Sequence, residues 1–138
     1  MPNSDLIKKV TFLIADDMES LRSVIVSCLR KLGAEKILQC RDGYDAWNLL
    51  TSKNIDIIIS DWDMPKLNGL ELLKKVRGST EHKATPFLLV TSSTEKSRVK
   101  QALSHGVDDY LAKPFTPKDL DYRVIKLLDK HKRRQTIE

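Results

Sequence analysis

The stretch Ile55-Asp56-Ile57-Ile58-Ile59-Ser60 restricts the fold more than any other part of the chain. β-Branched side chains crowd the preceding turn of a helix and suit a pleated surface, and the run is too short for an ordinary helix. A strand this apolar on both faces needs cover on both sides, which points to a parallel sheet between helical layers. The strand stops on Asp61, so one carboxylate sits at the rim of the sheet on a stiff support. Trp62, Asp63, Met64 and Pro65 then read as the loop leaving it.

The rest of the chain repeats the pattern. Val10 to Ala15 is a short apolar run ending on Asp16-Asp17. From Leu21 the spacing changes to a helical face of Leu21, Val24, Ile25, Cys28, Leu29 and Leu32, with Arg22 off it and Gly33 as a stop. Lys36 to Cys40 predicts a second strand, Asp42-Gly43 a turn, and Ala46, Trp47, Leu49 and Leu50 a short helix. After the central strand, Asn68-Gly69 closes a loop, and Leu70, Leu72, Leu73 and Val76 predict a third helix fading at Gly78. Phe87 to Val90 is a fourth strand ending on Thr91-Ser92. A fourth helix follows from about Thr94 with a thin apolar face, Val99, Ala102 and Leu103, and stops at Gly106. Asp108 to Ala112 is the last strand, ending on Lys113-Pro114, and Leu120, Val124, Ile125, Leu127 and Leu128 supply a fifth helix. Five strands alternating with five helical patterns predict an α/β fold with a parallel sheet covered on both faces.

The length of 138 residues suits one domain. A formal charge of +5 fits an acidic partner surface without requiring one. Cys28 and Cys40 are too few for a disulfide framework and lie in apolar segments, so they read as buried thiols of a cytoplasmic protein. No apolar run approaches the roughly 20 residues of a membrane span, and residues 1 to 9 lack the core of a signal peptide. The basic run Lys130 to Arg134 reads as a solvated helix end, and no aromatic or groove-reading element accompanies it to suggest nucleic acid. His82, His105 and His131 have no ligand spacing and are assigned to packing or solvent.

Open parallel sheets bind ligands outside the carboxyl ends of their strands. Four strands end on Asp16-Asp17, Asp61, Thr91 and Lys113, and all four ends open on one rim. Three crowded carboxylates must raise their pKa values or share a cation, and an open oxygen cluster suits Mg2+. Lys113 brings a fixed positive charge for a phosphoryl oxygen, Thr91 a hydroxyl, and Asp61 a nucleophile able to form an acyl phosphate.

Asp16-Asp17, the segment SDWDMPKLNGLELLKKVR, VTSS and YLAKPF together resemble a response-regulator receiver domain, most closely the single-domain CheY type of bacterial chemotaxis. The resemblance spans residues 6–130, leaving 131–138 as a basic tail, and implies a flavodoxin-like sheet in the order 2-1-3-4-5. It implies a two-component switch in which Asp61 accepts phosphate from a CheA-like histidine kinase. Mg2+ would be held by Asp17, Asp61, the backbone carbonyl of Asp63 and, through water, Asp16. Lys113 would pair with the phosphate, Thr91 move towards it, and Tyr110 turn inward. The altered face would include Lys96, Val99, Tyr110, Arg123 and Lys126, and its basic side chains would fit an acidic segment of a flagellar-motor component. A phosphatase acting on the switch is a further partner, and the Lys113-Pro114 bond is expected cis.

Plainer readings stand beside these. Asp16-Asp17 also reads as a cap of the helix that follows, Thr91 and Lys113 are ordinary singly, and Tyr110 alternates with apolar neighbours. Trp47 reads as packing its helix against the sheet, and Trp62 as a reporter without chemistry. The extra carboxylate of Asp63 and the hydroxyl of Ser93 occupy positions that tune phosphoryl lifetime in the family, and Asp63 is expected to strengthen cation binding or slow hydrolysis. Three rival functions remain: a phosphate sink or adaptor without a motor target, an interaction module without phosphorylation, and an aspartate-nucleophile phosphatase. The phosphatase pattern places its DxD on the first strand, whereas Asp61-Trp62-Asp63 follows the third. Only 25 residues follow Lys113, which argues against a transcriptional output.

Overall fold

The computed structural model describes residues 4–92 and 95–137. In chain order the elements are α1 (Ser4–Lys9), β1 (Thr11–Ala15), α2 (Glu19–Leu32), β2 (Lys36–Cys40), α3 (Gly43–Ser52), β3 (Ile57–Asp61), α4 (Gly69–Gly78), β4 (Phe87–Thr91), α5 (Lys96–Ser104), β5 (Asp109–Ala112) and α6 (Pro117–Ile137). The sheet is five-stranded and parallel, in the order β2-β1-β3-β4-β5. The expected helices are α2 to α6, and α1 is an addition. Its six residues are too few to display a period, yet Ile7 is buried against the core.

Alternate residues of the strands face opposite layers. Phe12, Ile14, Ile57, Ile59, Leu88 and Val90 pack with Ile25 and Leu29 of α2 and Leu120, Val124 and Leu127 of α6. Leu13, Ile58, Phe87 and Leu89 pack with Leu50 of α3 and Leu72, Leu73 and Val76 of α4. Each fully buried side chain of this size contributes about 1.5–3 kcal/mol relative to exposure, so the two layers hold the rims in place.

Chain ends of the helices follow local chemistry. α2 stops because Gly33 adopts φ 111°, with Gly33 N–H donating to Arg30 O and Ala34 N–H to Leu29 O. Asp42-Gly43 is not a free turn: the Asp42 carboxylate accepts the Asp45 N–H at 2.7 Å and caps α3. Asn68 and Glu71 form a reciprocal capping box at the start of α4. Thr116 and Asp119 exchange the equivalent bonds at the start of α6, and Pro117 occupies its first position.

Three details depart from the periodicity. Val24 and Leu103, both placed on apolar faces, are exposed, while Arg22, placed off the face, is buried. The third strand starts two residues later than the apolar run, at Ile57, because the Asp56 carboxylate turns back to accept the Thr11 N–H at 2.8 Å. The basic run Lys130 to Arg134 lies inside α6, and His131 within it is buried. No helix among the described residues is long and apolar enough to cross a membrane.

Candidate functional site

Strand register alone sets the residues of the rim in line. Ala15 pairs with Ser60, so Asp16 and Asp61 leave adjacent strands side by side. Asp61 pairs with Val90 and Thr91 with Ala112, so Thr91 and Lys113 follow one step farther out. The Lys113 N–H also donates to Thr91 O at 2.8 Å. The Lys113-Pro114 bond is cis, as the resemblance implies.

Asp16 and Asp61 are buried and Asp17 is exposed, and one carboxylate oxygen from each lies within 4.8 Å of the others. Asp16 Oδ1 accepts the Met18 N–H at 2.9 Å, and its backbone oxygen accepts from Arg22 Nη1 at 2.6 Å. Asp16 Oδ2 is buried with no hydrogen-bond donor among the described residues, 3.7 Å from Lys113 Nζ. Lys113 Nζ is 3.2 Å from Asp61 Oδ1. Among the described residues one ammonium therefore contacts both buried carboxylates, while Asp17 adds a third acid to the cluster, which leaves negative charge in excess.

Protonation reflects that imbalance. Burial, then repulsion by Asp16, pushes the Asp61 carboxyl up to about 6, against the pull of Lys113 and the Asp63 backbone N–H. Burial also raises Asp16, opposed first by the Met18 hydrogen bond and then by Lys113. Hard oxygen donors, one of them without a hydrogen bond, suit a divalent cation such as Mg2+. The residues present fit that ion: its charge would offset the burial and the repulsion that hold the carboxyls high.

Thr91 is fully buried; its hydroxyl accepts from Arg98 Nη1 at 3.3 Å and shares a hydrogen bond with the Tyr110 hydroxyl. Tyr110 is half-buried, and burial raises its phenol above the usual value. Trp62 is buried beneath the Arg98 guanidinium, 4.8 Å from the ring centre. Asp63 lies in the same loop, but its carboxylate pairs with Arg98 at 3.2 Å and is not among the clustered acids. Ser93 lies outside the described residues.

The expected partner face comprises Lys96, Val99, Tyr110, Arg123 and Lys126. Lys96 and Lys126 are exposed, and Val99, Tyr110 and Arg123 half-buried. Arg123 Nη1 is 2.6 Å from Asp109 Oδ1 and Lys126 Nζ 3.8 Å from Oδ2, so an acid within the face offsets two of its cations. Elsewhere, Trp47 packs beside α4, with His82 edge-on at 6.2 Å and Lys75 5.0 Å from its ring. Burial pushes the Cys40 thiol up to about 12, consistent with an inert packed cysteine.

Arg22, Arg98 and Asp109 were not singled out from the sequence. Arg98 lies between Lys96 and Lys100 on its helix and its carboxylate partner Asp63 is 35 residues away, while Arg22 reaches a backbone oxygen of Asp16, so no spacing of residue types marks either.

Comparison with known proteins bears on the family and the fold. The profile of the response regulator receiver domain matches residues 12–125. The chemotaxis protein CheY homolog of Campylobacter jejuni is 39% identical over 117 residues, covering 84% of this chain and 90% of that protein. CheY1 of Helicobacter pylori is 39% identical over 109 residues, covering 78% and 88%. Among solved structures, CheY4 of Vibrio cholerae superposes with a TM-score of 0.79 at 30% identity, over 86% of this chain and 98% of that one. The receiver domain of a Pseudomonas aeruginosa sensor histidine kinase, solved with a magnesium ion in its active site cleft, gives 0.78 at 25% identity over 87% and 98%.

Proposed function

Because the chain belongs to the response regulator receiver domain family, we propose that it is a signalling switch in which Asp61 accepts a phosphoryl group from a histidine kinase in a Mg2+-dependent reaction. The observation that carries this reading is the contact of Lys113 Nζ with both Asp61 and Asp16 at one rim of the sheet.

An Asp61 carboxylate oxygen attacks phosphorus, the bond to the phosphohistidine nitrogen breaks, and its electron pair leaves with the imidazole. The product is an acyl phosphate on Asp61. Lys113, already beside Asp61 Oδ1, neutralises a phosphoryl oxygen as charge builds there. Asp16, Asp17 and Asp61, with the Asp63 carbonyl, would hold Mg2+, which supplies further neutralisation of the transferring group. The Arg22 contact keeps the Asp16 backbone in place. An apolar groove of about 520 Å³, lined by Met18, Leu21, Val24, Lys113, Pro114 and Phe115, offers a donor protein a surface beside the acceptor.

In the phosphorylated state the Thr91 hydroxyl turns to a phosphoryl oxygen, and Tyr110, its present hydrogen-bond partner, follows. That changes the face of α5, β5 and α6 which includes Lys96, Val99, Arg123 and Lys126. The 39% identity to chemotaxis proteins supports a cytoplasmic role in chemotaxis, with a CheA-like donor and a flagellar-motor component as target. The chain acts as a switch, catalysing only its own phosphorylation and dephosphorylation.

The test is intact mass after incubation with acetyl phosphate, with and without Mg2+, for wild type and Asp61→Asn. The expected result is a labile gain of one phosphoryl group, dependent on Mg2+ and missing in the variant. No gain under any condition would overturn the reading in favour of an interaction module.

A further inference from the structure

One side chain of α5 reaches both the acceptor loop and the end of β4. Arg98 Nη1 and Nη2 each lie 3.2 Å from a different oxygen of Asp63, 35 residues earlier in the chain. Nη1 is also 3.3 Å from Thr91 Oγ1, and the guanidinium carbon is 4.8 Å from the centre of the Trp62 ring. A planar fork over an aromatic face can serve all three at once; a lysine offers one point charge and cannot.

We propose that Arg98 is a positioning residue of the phosphoacceptor site: it holds the Asp63 carboxylate outside the Asp16–Asp17–Asp61 cluster and couples the Thr91 hydroxyl to α5. The inference rests on the reading of that cluster as a Mg2+ and phosphoryl site.

Two arguments support it. Asp63 follows the acceptor by two residues, so a released carboxylate would add a fourth negative group to a cluster whose members already repel one another. Arg98 spends that charge in a fork instead, at the expense of cation affinity and with the acceptor left reachable by an anionic donor. Secondly, Ala102 is the one fully buried residue of α5, so packing holds this helix loosely. The Arg98 contacts then contribute a large share of its attachment. When Thr91 turns towards a phosphoryl group, its contact with Arg98 is lost and α5 loosens.

The experiment is a double-mutant cycle on Mg2+ affinity by titration calorimetry, using the full chain, with hydrogen exchange of α5 in the same proteins. Arg98→Ala is expected to bind Mg2+ about three- to ten-fold more tightly, since Asp63 joins the cluster. Asp63→Asn alone changes affinity less than about two-fold, and the double variant returns to within about two-fold of wild type. Tighter binding is not a result that a damaged fold produces. Arg98→Lys, keeping the charge but losing the fork, falls between Arg98→Ala and wild type. In wild type, acetyl phosphate with Mg2+ speeds α5 exchange; in Arg98→Ala the exchange is already fast and changes little.

Equal and opposite effects of the two single substitutions would mean that Arg98 acts by charge at a distance, and would overturn the positioning role. So would an Arg98→Lys protein indistinguishable from wild type, or α5 exchange unchanged in Arg98→Ala. Wild type that takes up neither Mg2+ nor a phosphoryl group would instead overturn the underlying reading, and this inference with it.

Discussion

Arg77 Nη2 lies 2.7 Å from Asp108 Oδ2, and the same oxygen accepts the Phe87 N–H at 2.7 Å. The rest of the guanidinium donates to the carbonyls of Gly106, Lys83 and Thr85. One arginine at the end of α4 thus ties together the entries to β4 and β5, at the opposite end of the strands from the acid cluster. Arg77→Ala should destabilise the fold by about 2–4 kcal/mol, since it strands a partly buried carboxylate and several carbonyls. Lys130, 2.6 Å from Asp108 Oδ1, keeps the loss from being larger. Urea melts would read the loss, and Mg2+ affinity measured on the folded variant should stay near wild type.

The Asp61 carboxyl gives a pH dependence of definite sign. Its pKa rises from the ordinary 3.8 to about 6 on folding. The folded state then binds this proton more tightly, so the contribution of Asp61 to stability is fully present below 3.8 and is lost as pH rises through about 6. Asp61→Asn removes the carboxylate that becomes unfavourable. In divalent-free buffer the variant should exceed wild type by on the order of 1–3 kcal/mol at about pH 7.5, and by little at about pH 4. A variant less stable than wild type at neutral pH would show that Lys113 already balances the site.

Mg2+ should act on the same quantity. At about 100 times its dissociation constant the ion is expected to add about 2.7 kcal/mol to the stability of the wild type, and much less to Asp16→Asn or Asp61→Asn. Thermal melts across a Mg2+ titration would show this. Equal stabilisation of all three proteins would place the ion elsewhere.

Lys113→Met should slow phosphoryl uptake from acetyl phosphate by roughly 10²–10³, the usual cost of deleting one group that stabilises developing charge. The same change removes the cation nearest the carboxylates, so Mg2+ affinity should rise. A loss of both would mean that the substitution had disordered the rim.

Gly69 allows no side chain. A Cβ there would collide with the Asp61 carbonyl oxygen and sit 2.9 Å from Trp62 Cα, while the Gly69 N–H donates to Trp62 O at 2.8 Å. Those obstacles are backbone, so they cannot turn aside. Gly69→Ala should cost about 1–3 kcal/mol and displace the acceptor itself, with urea melts reading the first effect and phosphorylation rate the second.

Much of this was open to reading from the chain. The isoleucines before Asp61, the runs before Asp16 and Thr91, and the spacing of Leu70, Leu73 and Val76 each report a local period, because burial of one face requires it. The errors have equally local causes. Val24 and Leu103 follow the helical spacing and are exposed, since a period marks a face but not what covers it. α1 is shorter than two turns and shows no period at all.

The polar ends of the strands were visible as residues, and the parallel sheet that aligns them followed from alternation. Local patterning and strand endings therefore specified the fold class and the acids, lysine and threonine of the rim. Tertiary structure decided the rest: which oxygen of Asp16 lacks a donor, how far one ammonium reaches between two carboxylates, and that Asp63 faces Arg98 rather than the cluster. The reason is range. A helical or strand period is written over a few neighbouring residues, whereas the contact between Asp63 and Arg98 joins positions 35 apart. Only the packing of α5 beside the β3–α4 loop brings them within hydrogen-bonding distance.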